Sequence, residues 1–103
     1  YLSPSTLRLL MADPDTDLVM VDVGEPGEYR NWHIAGAKSI PLRQLTARAA
    51  ELDRETSVCF VSRLGRRAAL ATVIMQDFGH QRVFVLKGGM LAWEAAGYPI
   101  AVE

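Results

Sequence analysis

The densest chemistry in the chain lies in Ser62-Arg63-Leu64-Gly65-Arg66-Arg67, where three arginines, a glycine and a hydroxyl share six residues. The apolar run Val58-Cys59-Phe60-Val61 precedes it and a helix-like stretch follows. A buried strand, a short glycine-containing turn and a helix start can aim successive backbone N–H groups at one point. The positive end of the helix reinforces them, and the result is an anion cradle. Arg63, Arg66 and Arg67 would draw an anion into it. Arginines on a surface loop are more often simply solvated. Here the loop follows a buried strand, which is where an α/β sheet carries its ligand site, and an anion-binding loop is the better reading.

The other reactive residues are scattered. Ser62 is a weak nucleophile without a neighbouring base, and His33 and His80 lie far from it in sequence. Cys59, inside an apolar run, is expected to be a small buried hydrophobe with a raised pKa. Asp22, at the end of another apolar run, is expected to serve a turn or a cap. His33 is expected to hydrogen-bond to loop backbone. Trp32 and Trp93 are expected to pack, with Trp32 placed to border the pocket. One cysteine and two separated histidines offer no metal site, and no cofactor is implied.

Composition bounds what these residues can serve. The 103 residues suffice for one domain and not two. Half are hydrophobic and 22% are charged, the balance of a globular core. No apolar run approaches the roughly 20 residues of a membrane span, so no membrane insertion is expected of this segment. Eleven basic against twelve acidic residues argue against a nucleic-acid partner bound by overall charge. A single cysteine forms no internal disulfide, and a reducing, cytoplasmic location is expected. The start at Tyr1 and the lack of a signal-peptide pattern suggest one module of a longer, fused protein.

Short apolar runs alternate with helical patterns. Ser3-Pro4 opens a helix with Leu7, Leu10 and Met11 on one face, broken by Ala12-Asp13-Pro14-Asp15. Leu18-Val19-Met20-Val21 reads as a strand buried on both faces. A turn at Gly24-Glu25-Pro26-Gly27 leads to a polar-aromatic stretch around Tyr29 and Trp32. Ser39-Ile40 is a brief strand stopped by Pro41. Leu42, Leu45, Ala49 and Leu52 mark an amphipathic helix. After the third strand, Val58–Val61, and the arginine loop, Leu70, Ile74 and Phe78 form the stripe of a helix that Gly79 ends. Val83–Leu86 is a fourth strand. Lys87-Gly88-Gly89 is expected to turn beside the arginine loop and start a last helix with Leu91 and Trp93, closed by Gly97 and Pro99. The class is α/β, a mostly parallel sheet with helices on both faces.

Five motifs, in order over most of the chain, resemble a single rhodanese (sulfurtransferase) domain. They are Asp22-Val23 with Glu25-Pro26 and Glu28-Tyr29, then His33-Ile34-Ala35-Gly36-Ala37, then Ile40-Pro41-Leu42. The active-loop pattern Ser62-x-x-Gly65-x-Arg67 follows, and Gly88-Gly89-x-x-Ala92-Trp93 closes the set. The resemblance implies the rhodanese-like three-layer sandwich. It also implies a loop whose first residue, a cysteine, takes sulfane sulfur from a donor as a persulfide and passes it to an acceptor. Thiosulfate or glutathione persulfide would be the donor, and cyanide, glutathione or a protein thiol the acceptor. The loop, with Arg63, Leu64, Gly65, Arg66 and Arg67, would bind the donor, while Asp22 and His33 would support it. The related phosphatases and arsenate reductases have one more residue in the loop, so its length here favours sulfur over phosphate.

This sequence departs from that pattern at the nucleophile. Ser62 stands where the family has cysteine, and Gly24 stands where many members have arginine. A serine cannot form a persulfide, so the chain as written is expected to be inactive. An isosteric Cys→Ser change in an otherwise active loop is the expected origin. The alternative is a naturally inactive module that binds an anion or a partner. Family members also occur fused to other domains, and a persulfide dioxygenase is one such partner.

Overall fold

The computed structural model describes residues 1–102. Five helices and four strands alternate: α1 (Pro4–Ala12), β1 (Leu18–Asp22), α2 (Pro26–Asn31), β2 (Lys38–Ser39), α3 (Leu45–Arg48), β3 (Ser57–Val61), α4 (Arg66–Asp77), β4 (Val83–Val85) and α5 (Gly89–Ala95). The strands form one sheet of order β2-β1-β3-β4, and every strand pair is parallel. This is the expected α/β class.

Successive residues of β3 point to opposite faces, so each face has its own core. Val58 and Phe60 join Val21, Val85 and the inner residues of α3 and α4 on one side. Cys59 and Val61 join Leu7 of α1, Ile34, Leu86 and Met90 and Trp93 of α5 on the other. Trp93, Phe60 and Leu7 are fully buried, and such side chains each contribute about 1.5–3 kcal/mol on leaving water. Helices cover both faces of the sheet, giving three layers.

Local sequence explains most boundaries. Ser3 caps α1 by accepting from the Thr6 amide at 3.1 Å, with Pro4 in the first turn. The stretch around Tyr29 is helical, which hydrophobic patterning did not reveal. Its start is a Glu25–Glu28 capping box, with the Glu28 side chain accepting from the Glu25 amide at 3.0 Å.

Two expectations change. The helix marked by Leu42, Leu45, Ala49 and Leu52 is instead α3 flanked by 3-10 turns at Leu42–Gln44 and Ala49–Glu51. Spacings of three at each end suit a three-residue turn, and Leu45, Ala49 and Leu52 still face the core. In α4 the inward residues are Ala68, Ala71 and Met75, while Leu70 is 56% and Phe78 37% exposed. Leu70 and Phe78 therefore face outward, while Ile74, between them, packs against the edge of the core. Small residues let this helix lie close on the sheet.

The order β2-β1-β3-β4 sends the chain to opposite sides after β1 and β3. Their carboxyl ends flank a switch point, where an open parallel sheet leaves a crevice.

Candidate functional site

The loop after β3 is built around Ser62, whose side chain is buried. Its Oγ accepts from the Gly65 amide at 3.1 Å and the Ala68 amide at 3.2 Å. Gly65, at φ 98°, supplies the left-handed turn that aims these amides inward. The loop thus closes on the first turn of α4, and the side-chain atom of residue 62 sits where the N–H groups converge.

Arg66 and Arg67 occupy that first turn, which holds no acidic residue, and the last turn of α4 holds no basic one. A helix macrodipole favours the reverse arrangement. The arginines are placed against local stability, and they concentrate positive charge at the cradle. Arg63 lies with its guanidinium carbon 5.6 Å from the centroid of the Trp32 ring, so Trp32 borders the site as well as packing. A pocket of about 320 Å³ is lined by Glu28, Ser62, Arg63, Leu64, Arg66 and Arg67. Pockets of about 340 and 410 Å³ open elsewhere, each with a single Arg or Lys in its lining. Size alone does not distinguish the loop pocket; its three converging arginines do.

The α5 end of the molecule holds the loop from behind. The Met90 amide donates to the Ser62 carbonyl at 2.9 Å and the Leu91 amide to the Arg63 carbonyl at 3.2 Å. Gly89, at φ 63°, makes this possible: a Cβ there would collide with both carbonyl oxygens. The Lys87-Gly88-Gly89 turn beside the loop is as expected from sequence.

Asp22 and His33 stand outside the pocket lining. Asp22 pairs with Val61 in the β1–β3 register, immediately before Ser62, and its Oδ1 accepts from the Gly24 amide at 2.9 Å. Burial raises its carboxyl above the usual range, an effect partly offset by that hydrogen bond. It braces the turn after β1. His33 is buried, bonds through Nδ1 to the Tyr29 carbonyl, and stacks on the Tyr29 ring at 4.0 Å. Its backbone pairs with Ala101. His33 thus ties α2 to the segment at Ala101. Cys59 points into the α1–α5 core, and burial pushes its thiol up to about 12.

Sequence reasoning missed the role of Glu28. It reaches into the pocket and accepts from Arg67 Nη1 at 2.8 Å. Its carboxyl is held low, first by the Glu25 amide and also by Arg67. The Glu-Pro-x-Glu capping pattern was the available signal for its position.

The sequence matches the family described as Rhodanese-like domain over residues 3–96. The chain belongs to the rhodanese-like domain family. A sulfurtransferase of Allochromatium vinosum is 29% identical over 99 residues, spanning 96% of this chain and 92% of that protein. The thiosulfate sulfurtransferase GlpE of Pseudoalteromonas translucida is 28% identical over 91 residues, spanning 88% and 84%. Against three other relatives the match spans only 44%, 59% and 54% of their length. The rhodanese-related protein of Thermoplasma volcanium shares the fold, with a TM-score of 0.88 at 24% identity, covering 99% of this chain and 97% of that one. Several homologues of this chain are thus sulfurtransferases, and sulfur transfer in general is the activity the relationship supports. No helix among the described residues is long and apolar enough to cross a membrane.

Proposed function

We propose that this rhodanese-like domain is a sulfurtransferase site in which residue 62 is the sulfur-carrying position, occupied here by serine. The observation that carries the reading is the convergence of the Gly65 and Ala68 amides on Ser62 Oγ at the start of α4. A sulfur atom in that place would meet the same donors. Amide N–H groups, a helix N-terminus and nearby arginines all stabilise a thiolate relative to a thiol.

In the cysteine form the thiolate attacks the outer sulfur of a donor such as thiosulfate or glutathione persulfide. The donor's S–S bond breaks, and sulfite or the glutathione thiolate leaves with the bonding pair. The new persulfide lies in the cradle, where N–H groups steady its negative charge. A thiolate or cyanide then attacks the terminal sulfur, the S–S bond to residue 62 breaks, and the cysteine thiolate is restored. Arg63 and Arg66 draw the anionic donor in, and Leu64 offers it an apolar contact. Ser62 cannot enter this cycle, because the carrier bond joins two sulfurs. Cys59 does not replace it, since its thiol is buried and faces the other core.

With serine in place the same cradle holds an anion without bonding to it. That property would suffice for a naturally inactive binding module.

The test compares this chain with Ser62→Cys in forming thiocyanate from cyanide with either thiosulfate or glutathione persulfide. We expect turnover from the cysteine form alone. Two correctly folded proteins that both fail with both donors would overturn the reading and leave the binding module.

A further inference from the structure

Glu28 is a carboxylate inside a pocket otherwise suited to anions. Its Oε1 accepts from the Glu25 amide at 3.0 Å and from Arg67 Nη1 at 2.8 Å. The capping bond does not need the charge, since a glutamine would cap α2 equally well. Nor does stability call for the ion pair: the two side chains are 46% and 39% exposed, and pairs in that setting contribute little. The consequence of the charge that remains is electrostatic. Glu28 pairs with Arg67 at the pocket wall and also acts at longer range on Arg63, while Arg63 and Arg66 form no ion pair of their own among the described residues.

We propose that Glu28 is a specificity-determining residue that sets the charge selectivity of the pocket. It lowers the pocket's preference for compact dianions over donors carrying one negative charge beside the sulfur. The argument is Coulombic. A carboxylate on the lining repels a dianion twice as strongly as a monoanion at the same place, and Arg67 cannot serve the ligand fully while Glu28 holds it. Glu28 therefore narrows the advantage that the remaining net positive charge gives thiosulfate over a thiol persulfide, and the exposed Leu64 adds contact for a donor with an organic body. The proposal rests on reading this loop as a sulfur-donor site, but its test needs no turnover.

The experiment measures thiosulfate binding to this Ser62 chain by calorimetry at low ionic strength. The parent is compared with Glu28→Gln, Arg67→Gln and the double variant, and thiocyanate serves as the monoanion. Glu28→Gln is expected to tighten thiosulfate binding about fivefold and thiocyanate binding about twofold. Arg67→Gln is expected to weaken thiosulfate binding about fivefold, and the double variant to bind within about twofold of the parent, because the charges cancel. Both side chains are well exposed, so the variants should fold, and circular dichroism checks that they do. The proposal is overturned if Glu28→Gln leaves thiosulfate affinity unchanged or weaker, if the double variant is as weak as Arg67→Gln, or if no form binds. The middle outcome would make Glu28 a brace for the arginine. Binding as expected combined with no turnover from Ser62→Cys would sink the sulfurtransferase reading and leave Glu28 as a charge filter for anions in general, no longer for sulfur donors.

Discussion

The Met90 amide donates to the Ser62 carbonyl at 2.9 Å, tying the first turn of α5 to the first residue of the arginine loop. The cradle is therefore held from two sides. Ser62 Oγ takes N–H groups from its own loop and α4, while its carbonyl takes one from α5.

Gly89 is the hinge of that arrangement. Gly89→Ala places a methyl group against the Ser62 and Arg63 carbonyls at a left-handed φ. We expect a loss of about 2 kcal/mol or more in a urea melt, because both conformation and packing are strained. Thiosulfate binding should fall with it, since the loop must move to relieve the contact.

In α4, burial and size part company. Met75 is fully buried and Leu70 is 56% exposed. Met75→Ala should cost about 3 kcal/mol, while Leu70→Ala should lie within about 0.5 kcal/mol of the parent. Denaturant unfolding of the two variants checks the direction the helix faces.

The same helix shows why the sequence was only partly legible. Runs such as Val58–Val61 announce buried strands because their apolar character is uniform, and the alternation with helices gives the α/β class. The face of α4 is a different matter. Leu70 and Phe78 outweigh Ala68 and Ala71 in any hydrophobic pattern, yet close helix–sheet contact puts the two alanines, with Met75, on the inner face. The arginine loop was legible because its charges, its glycine and its place after a strand all pointed one way. Glu28 was not, because its partner Arg67 is 39 residues away in sequence. No local spacing encodes that meeting.

Asp22 gives a pH signature. Its carboxyl is raised in the folded state, chiefly by burial, so the native protein holds this proton more tightly than the unfolded chain. Above the folded pKa the buried charge destabilises the fold. That penalty is relieved as pH falls through the folded pKa towards the unfolded value near 4. Asp22→Asn keeps an oxygen for the Gly24 amide and removes the charge. Its melting temperature relative to the parent should be most favourable at about pH 7, with the advantage fading towards about pH 4. An advantage that did not change with pH would assign the effect to packing instead.

The central claim is that residue 62 is the place where sulfur is carried. The most direct measurement is the intact and peptide mass of Ser62→Cys after incubation with thiosulfate or glutathione persulfide, in the absence of an acceptor. The account predicts a gain of one sulfur atom on the peptide containing residue 62, discharged by cyanide, with Cys59 unmodified and the Ser62 chain unchanged. A folded Ser62→Cys protein that gains no sulfur from either donor, or that carries it on Cys59, would contradict the account.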